Sequence, residues 1–108
     1  MIQIEHKGEW MGNECTHTIT IKGHANYAPI DQDIVCAGVS TLAYTLRARL
    51  TEMDAWELNI KDKGGCMTIS CVSTPHDHDI EEAIRFAMTG FSLLQEHYPK
   101  YVKVLMGV

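Results

Sequence analysis

Two stretches of this chain carry apolar residues at helical spacing, and each follows a pair of stretches whose side chains alternate. Val35, Val39, Leu42, Leu46 and Leu50, with Ala43 beside them, form the first apolar stripe. Ile80, Ala83, Ile84, Ala87, Met88, Phe91 and Leu94 form the second. Stripes at three- and four-residue intervals belong to helices that need a surface to cover. The alternating segments supply that surface. Residues 2–5 predict a short first strand and residues 9–13 a turn. Residues 15–23 predict a second strand, with Ile19 and Ile21 on one face and Thr18, Thr20 and Lys22 on the other. Residues 56–61 and 66–73 predict two more, joined by a Lys63-Gly64-Gly65 turn. Asp33 opens the first helix, and Asp79 with Glu82 opens the second in capping-box spacing. Pro99 stops that helix near His97, which leaves Tyr101, Val102, Val104 and Leu105 for a short terminal strand. The order β-β-α-β-β-α, with room for that last strand, predicts an α+β fold: an antiparallel sheet covered by two helices. A length of 108 residues gives room for one core, so residues 1–108 are expected to form a single domain.

The apolar fraction of 45% excludes a disordered chain. The net charge of -5 argues against a basic nucleic-acid surface and against an anionic membrane as partner. Met1-Ile2-Gln3-Ile4-Glu5-His6-Lys7 does not read as a secretory leader, and no apolar run approaches the ~20 residues of a membrane span. A cytoplasmic location is the resulting expectation, with reduced thiols. That makes disulfides among Cys15, Cys36, Cys66 and Cys71 a poor fit. A cysteine zinc site is also a poor fit, because Cys66 and Cys71 on one strand point to opposite faces. Cys15, Cys66 and Cys71 read as packing residues, and Trp10 and Trp56 as core or interface. His76-Asp77-His78-Asp79 has metal-binding residue types, but it reads more simply as a polar connector whose Asp79 caps the second helix. No metal and no cofactor is expected.

The most informative segment runs Gly23-His24-Ala25-Asn26-Tyr27-Ala28-Pro29-Ile30-Asp31-Gln32-Asp33-Ile34-Val35-Cys36-Ala37-Gly38-Val39-Ser40. It places a histidine at a strand end, then a loop, then a cysteine in the first turn of a helix. With Asp33 as N-cap, its carboxylate would accept the amide of Val35 or Cys36. Cys36 would sit in the positive field of the helix start, which favours a thiolate. His24 could take its proton if the loop folds back. Unsatisfied amides of the first turn could bind an oxyanion. Ser40, four residues on, shares the face of Cys36. A simpler reading also fits the pattern: a buried helix cysteine and a surface histidine.

The segment resembles the signature of the ribosomal-processing cysteine protease family, Prp: Gly-His-Ala, a loop, then Asp-Ile-Val-Cys-Ala-(Ala or Gly)-Val-Ser. Here it reads Gly23-His24-Ala25 and Asp33-Ile34-Val35-Cys36-Ala37-Gly38-Val39-Ser40. The resemblance implies Cys36 as nucleophile and His24 as general base, with Asp33 and Ser40 supporting the site. It implies a substrate loop over Gly23, Ala25, Asn26, Tyr27 and Asp31 that moves over the substrate. It also implies a homodimer that removes an N-terminal extension from large-subunit ribosomal protein twenty-seven, supplied as a precursor. The chain departs from the pattern at Asn26 and Asp31, where the family has glycine. That departure leaves room for a divergent or phage-borne relative that trims capsid or other proteins. Two other classes stand beside it: a non-catalytic α+β binding module, and a small metal-binding protein using His76 and His78 with a cysteine.

Overall fold

The computed structural model describes residues 1–29 and 32–107. The elements in order are β1 (Ile2–Met11), β2 (Glu14–Lys22), α1 (Ile34–Glu52), β3 (Asn59–Lys63), β4 (Cys66–Ser73), α2 (His78–His97) and β5 (Val102–Gly107). The strands form one five-stranded sheet in the order β3-β4-β2-β1-β5. The fold is α+β, and the expected terminal strand is present. β5 pairs with β1 in parallel, so the sheet is mostly antiparallel rather than wholly so. The parallel pairing follows from α2, which carries the chain back to the end of the sheet where β1 begins.

The registers put apolar residues on one face. Ile4 lies opposite Ile21, Ile19 opposite Ile69, and Ile60 also opposite Ile69. Ile2 and Ile4 pair with Val102 and Val104. Strand alternation sends Thr16, Thr18, Thr20, Thr68 and Ser70 to the other face. Both helices cover the apolar face. Val35, Val39, Ala43, Leu46 and Leu50 of α1 are buried there, as are Ile80, Ile84, Ala87, Met88 and Phe91 of α2. Each fully buried large side chain contributes about 1.5–3 kcal/mol.

Three element boundaries differ from expectation. Residues 9–11 belong to β1, not to a turn, and only Gly12 and Asn13 turn the hairpin. Gly8 lies inside the strand, where the Cys15 sulfur sits 3.3 Å from where a Cβ would stand and so leaves little room for a side chain. β3 starts later than residue 56, because Asp54 and Glu57 take left-handed backbone angles. The N-cap of α2 is Asp77, not Asp79, which lies in the first turn. The Thr74–Asp77 turn immediately precedes the helix and is closed by an Asp77 amide to Thr74 carbonyl bond of 3.0 Å. The Asp77 carboxylate accepts the Thr74 amide at 2.8 Å and its hydroxyl at 3.0 Å, which employs it inside that turn. Trp10 and Trp56 are about half exposed, so neither is core.

A polar chain crosses the buried face near the β1–β2 turn. His6 Nε2 lies 3.0 Å from His17 Nδ1, and His17 Nε2 lies 2.8 Å from the Ser73 hydroxyl. That hydroxyl faces Glu81 of α2 at 3.5 Å. With both rings neutral, His6 donates to His17, His17 donates to Ser73, and Ser73 donates to Glu81. Burial lowers the pKa of both histidines, helped at His6 by the neighbouring His17 charge and opposed at His17 by Glu81. A folded pKa below the unfolded value of 6.5 means that the unfolded chain binds more protons. Stability is therefore fully present above about pH 6.5 and falls as pH drops below it. Urea unfolding between pH 8 and pH 5 is expected to show that loss. His17→Gln should lose about 1–3 kcal/mol at pH 8 and show a shallower slope over the same window. An unchanged slope would show that the pair does not set it.

Candidate active site

His24 follows the end of β2, and Cys36 lies in the first turn of α1. Both line one cavity of about 230 Å³. Ser40, one helical turn beyond Cys36, lines it too, as does Gly23. The opposite wall comes from the β3–β4 hairpin through Asp62, Gly65, Cys66 and Met67. Cys36 is half-buried, and His24 and Ser40 are exposed. The topology explains the meeting. β2 and the β3–β4 hairpin are neighbours in the sheet, and α1 begins over their shared end.

Backbone geometry holds His24 in place. The Gly23 amide donates to the Gly65 carbonyl at 2.9 Å, which ties the end of β2 to the hairpin turn. The His24 carbonyl accepts from the Met1 nitrogen at 2.7 Å. Gly65 has φ +81, and a Cβ there would meet the His24 Nε2 at 3.2 Å. A side chain at residue 65 would therefore crowd the imidazole as well as strain the turn. At Gly23, with φ +98, a Cβ would collide with the Met1 carbonyl oxygen.

Asp33 is buried and is the N-cap of α1, as its place in the sequence predicts. One carboxylate oxygen accepts both the Val35 amide at 3.1 Å and the Cys36 amide at 2.9 Å. The other accepts the Tyr27 amide at 3.0 Å. Among the described residues no bond runs from Asp33 to His24, so Asp33 ties the loop to the helix rather than orienting the imidazole. The Cys36 amide is the largest cause of its lowered pKa, with burial opposing and the Tyr27 and Ala28 amides and the Cys36 thiol adding to it. One expectation is corrected here. The Val35 and Cys36 amides go to the Asp33 carboxylate, and the Ala37 amide goes to the Asp33 carbonyl at 3.0 Å. These first-turn donors are already used and do not form an oxyanion hole.

The remaining loop residues divide. Ala25 is buried in the core. Asn26 has φ 56, the left-handed conformation that a glycine would take there. Tyr27 is exposed but packs edge-on against Tyr98 at 5.7 Å and Tyr101 at 5.1 Å. Asp31 lies outside the described residues. Sequence reasoning missed Tyr44, Asp62, Gly65 and Cys66 as cavity residues. Tyr44 continues the spacing of Cys36 and Ser40 along α1, so helical periodicity could have found it. The other three needed the sheet register. Cys66 is exposed on the cavity wall, not packed, while Cys15 and Cys71 are buried. Among the described residues no three His, Cys, Asp or Glu side chains are placed to hold a metal, and no helix is long and apolar enough to cross a membrane.

Comparison with known proteins decides the family. The family described as cysteine protease Prp matches residues 1–103. The chain belongs to this family. It is thus a cysteine protease in lineage and fold. A crystal structure of an essential ribosomal processing protease Prp from S. aureus, with a covalently linked product peptide, superposes with a TM-score of 0.84 at 21% identity. The alignment covers 98% of this chain and 99% of that one. The same S. aureus protease with a substrate peptide gives 0.78 at 19% identity, covering 98% and 99%. The SMU.848 protein from Streptococcus mutans gives 0.70 at 25% identity, covering 99% of this chain and 94% of that one. No curated protein sequence matches the chain.

Two outcomes test this geometry. Burial raises the thiol pKa of Cys15 and pushes that of Cys71 up to about 11. Iodoacetamide at neutral pH should therefore modify Cys36 and Cys66 in the native protein, and Cys15 and Cys71 only after unfolding, as read by mass spectrometry. Asp33→Ala removes a cap and a loop tie together. It should lower Tm by about 5 °C or more near neutral pH. Because the Asp33 pKa is lowered on folding, its contribution is present above the carboxylate range and is lost as pH falls through it. The Tm gap between wild type and variant should thus shrink toward pH 3.

Proposed function

We propose that the chain, acting as one domain over residues 1–108, cleaves peptide bonds with a Cys36–His24 dyad. The observation that carries this is one cavity lined by Cys36, His24 and Ser40, at the start of a helix capped by Asp33. The Cys36 thiol gives its proton to the His24 ring, and the sulfur attacks the scissile carbonyl carbon. The tetrahedral oxyanion collapses as His24 returns the proton to the leaving amine, which departs and leaves an acyl-thioester on Cys36. Water, deprotonated by His24, then hydrolyses the thioester and frees the thiol. The Val35 and Cys36 amides are held by Asp33, so the Ser40 hydroxyl is the donor we assign to the oxyanion.

The substrate we propose is the precursor of large-subunit ribosomal protein twenty-seven, from which an N-terminal extension is removed. Its support is the family match and the likeness to a ribosomal processing protease with bound peptides. The net charge of -5 suits an encounter with a basic ribosomal protein. We further propose that the enzyme works in the cytoplasm as a homodimer. The apolar groove between α1 and α2, with Phe86 74% exposed, is compatible with a second copy.

The test is purified protein mixed with the precursor. Wild type should release the extension. Cys36→Ala and His24→Ala should fall to background, and Ser40→Ala should lose about a hundredfold in kcat. An intact precursor after incubation with folded wild type would remove this substrate. Cleavage by Cys36→Ala would remove the mechanism.

A further inference from the structure

The cavity carries further chemistry that the dyad does not use. Tyr44 and Asp62 line the same cavity as Cys36. The Tyr44 hydroxyl donates to Asp62 Oδ2 at 3.1 Å, and Arg47 Nη1 stands 3.5 Å from that same oxygen. Among the described residues no hydrogen bond reaches the second carboxylate oxygen. Among the described residues that line this cavity, Asp62 is the one carboxylate. Its strand neighbours Lys61 and Lys63 are exposed and are not among the residues that line the cavity.

We propose that Tyr44 and Asp62 form a subsite for a basic side chain of the substrate; this rests on the protease reading above. Arg47 already shows how a cation fits there. Its guanidinium lies 5.9 Å from the centre of the Tyr44 ring while it faces Asp62. Both partners of that ion pair are more than a third exposed, and the contact is long. Such a pair is weak and yields to a competitor. A substrate lysine or arginine takes the place beside Asp62, with its stem against the tyrosine ring.

Spacing places the subsite along the substrate. Tyr44 lies eight residues after Cys36 on α1, a rise of about 12 Å. An extended peptide covers that distance in about three or four residues. The subsite therefore reads a residue three or four positions from the bond that is cut. Selection by Asp62 is electrostatic, so it weakens as salt rises.

Fluorescein-labelled peptides that span the precursor cleavage site provide the test. Each carries lysine, norleucine or glutamate at the third or fourth residue on either side of the cut. Binding is measured by anisotropy to full-length Cys36→Ala, and cleavage is measured with wild type. At one position, lysine should bind about tenfold more tightly than glutamate, with the preference in KM rather than kcat. Asp62→Asn should bring that ratio close to one, and Asp62→Lys should reverse it. Unfolding curves for both variants establish that they fold. Equal binding of the lysine and glutamate peptides, no binding of either, or an unchanged ratio in folded Asp62→Asn would each overturn the subsite. A preference for glutamate would assign recognition to Arg47 and overturn it as well. Lysine-selective binding without cleavage by wild type would uphold the subsite and overturn the protease reading instead.

Discussion

A sheet that is apolar on one face only is the constraint on which the rest depends. Thr16, Thr18, Thr20 and Lys22 of β2 and Thr68 and Ser70 of β4 make the other face too polar for a second helical layer. Both helices must therefore pack on the same side, with α1 beside α2. Each helix then has one available orientation for its stripe. For α1 that orientation sets its first turn over the end of β2 and beside the β3–β4 hairpin. The cavity is a by-product of that packing.

Within the cavity, Asp33 decides which backbone groups remain available. A helix start ordinarily offers several free amides to an anion. Here one carboxylate takes two of them and also grips the loop at Tyr27. The gain is a loop held at Tyr27, whose ring also packs against Tyr98 and Tyr101. The consequence is that those two amides are spent, which is why the Ser40 hydroxyl on the same cavity is the oxyanion donor we propose.

The opposite end of the same buried face solves a different problem. Placing His17 and Ser73 among apolar neighbours would cost several kcal/mol without partners. The chain from His6 through His17 and Ser73 to Glu81 supplies those partners and joins β1, β2, β4 and α2. The two ends of the sheet thus divide the work, with polar groups open to a cavity at one and closed into a network at the other.

Much of this was legible in the residues alone. Periodicity located both helices, and the alternation of Ile19 and Ile21 against Thr18 and Thr20 oriented β2 correctly. Asp33 was readable as a cap because capping is local, spanning three residues. Asn26, which stands where the family has glycine, takes left-handed angles that asparagine tolerates better than most residues. Less of the rest was readable. The length of β1 and the start of β3 depend on pairing partners and on backbone angles at Asp54 and Glu57. The use of Asp77 rather than Asp79 as cap depends on a turn closed by Thr74. By itself the sequence determined the order of the elements and the buried face, because these follow from spacing along one chain; spacing left open whether the loop brings His24 back to Cys36. Only the tertiary structure decided that β5 runs parallel to β1, that Gly65, Asp62 and Tyr44 wall the cavity, and that the amides near Cys36 are already taken. Those are contacts between segments distant in sequence, and the register that brings them together is set by the whole sheet.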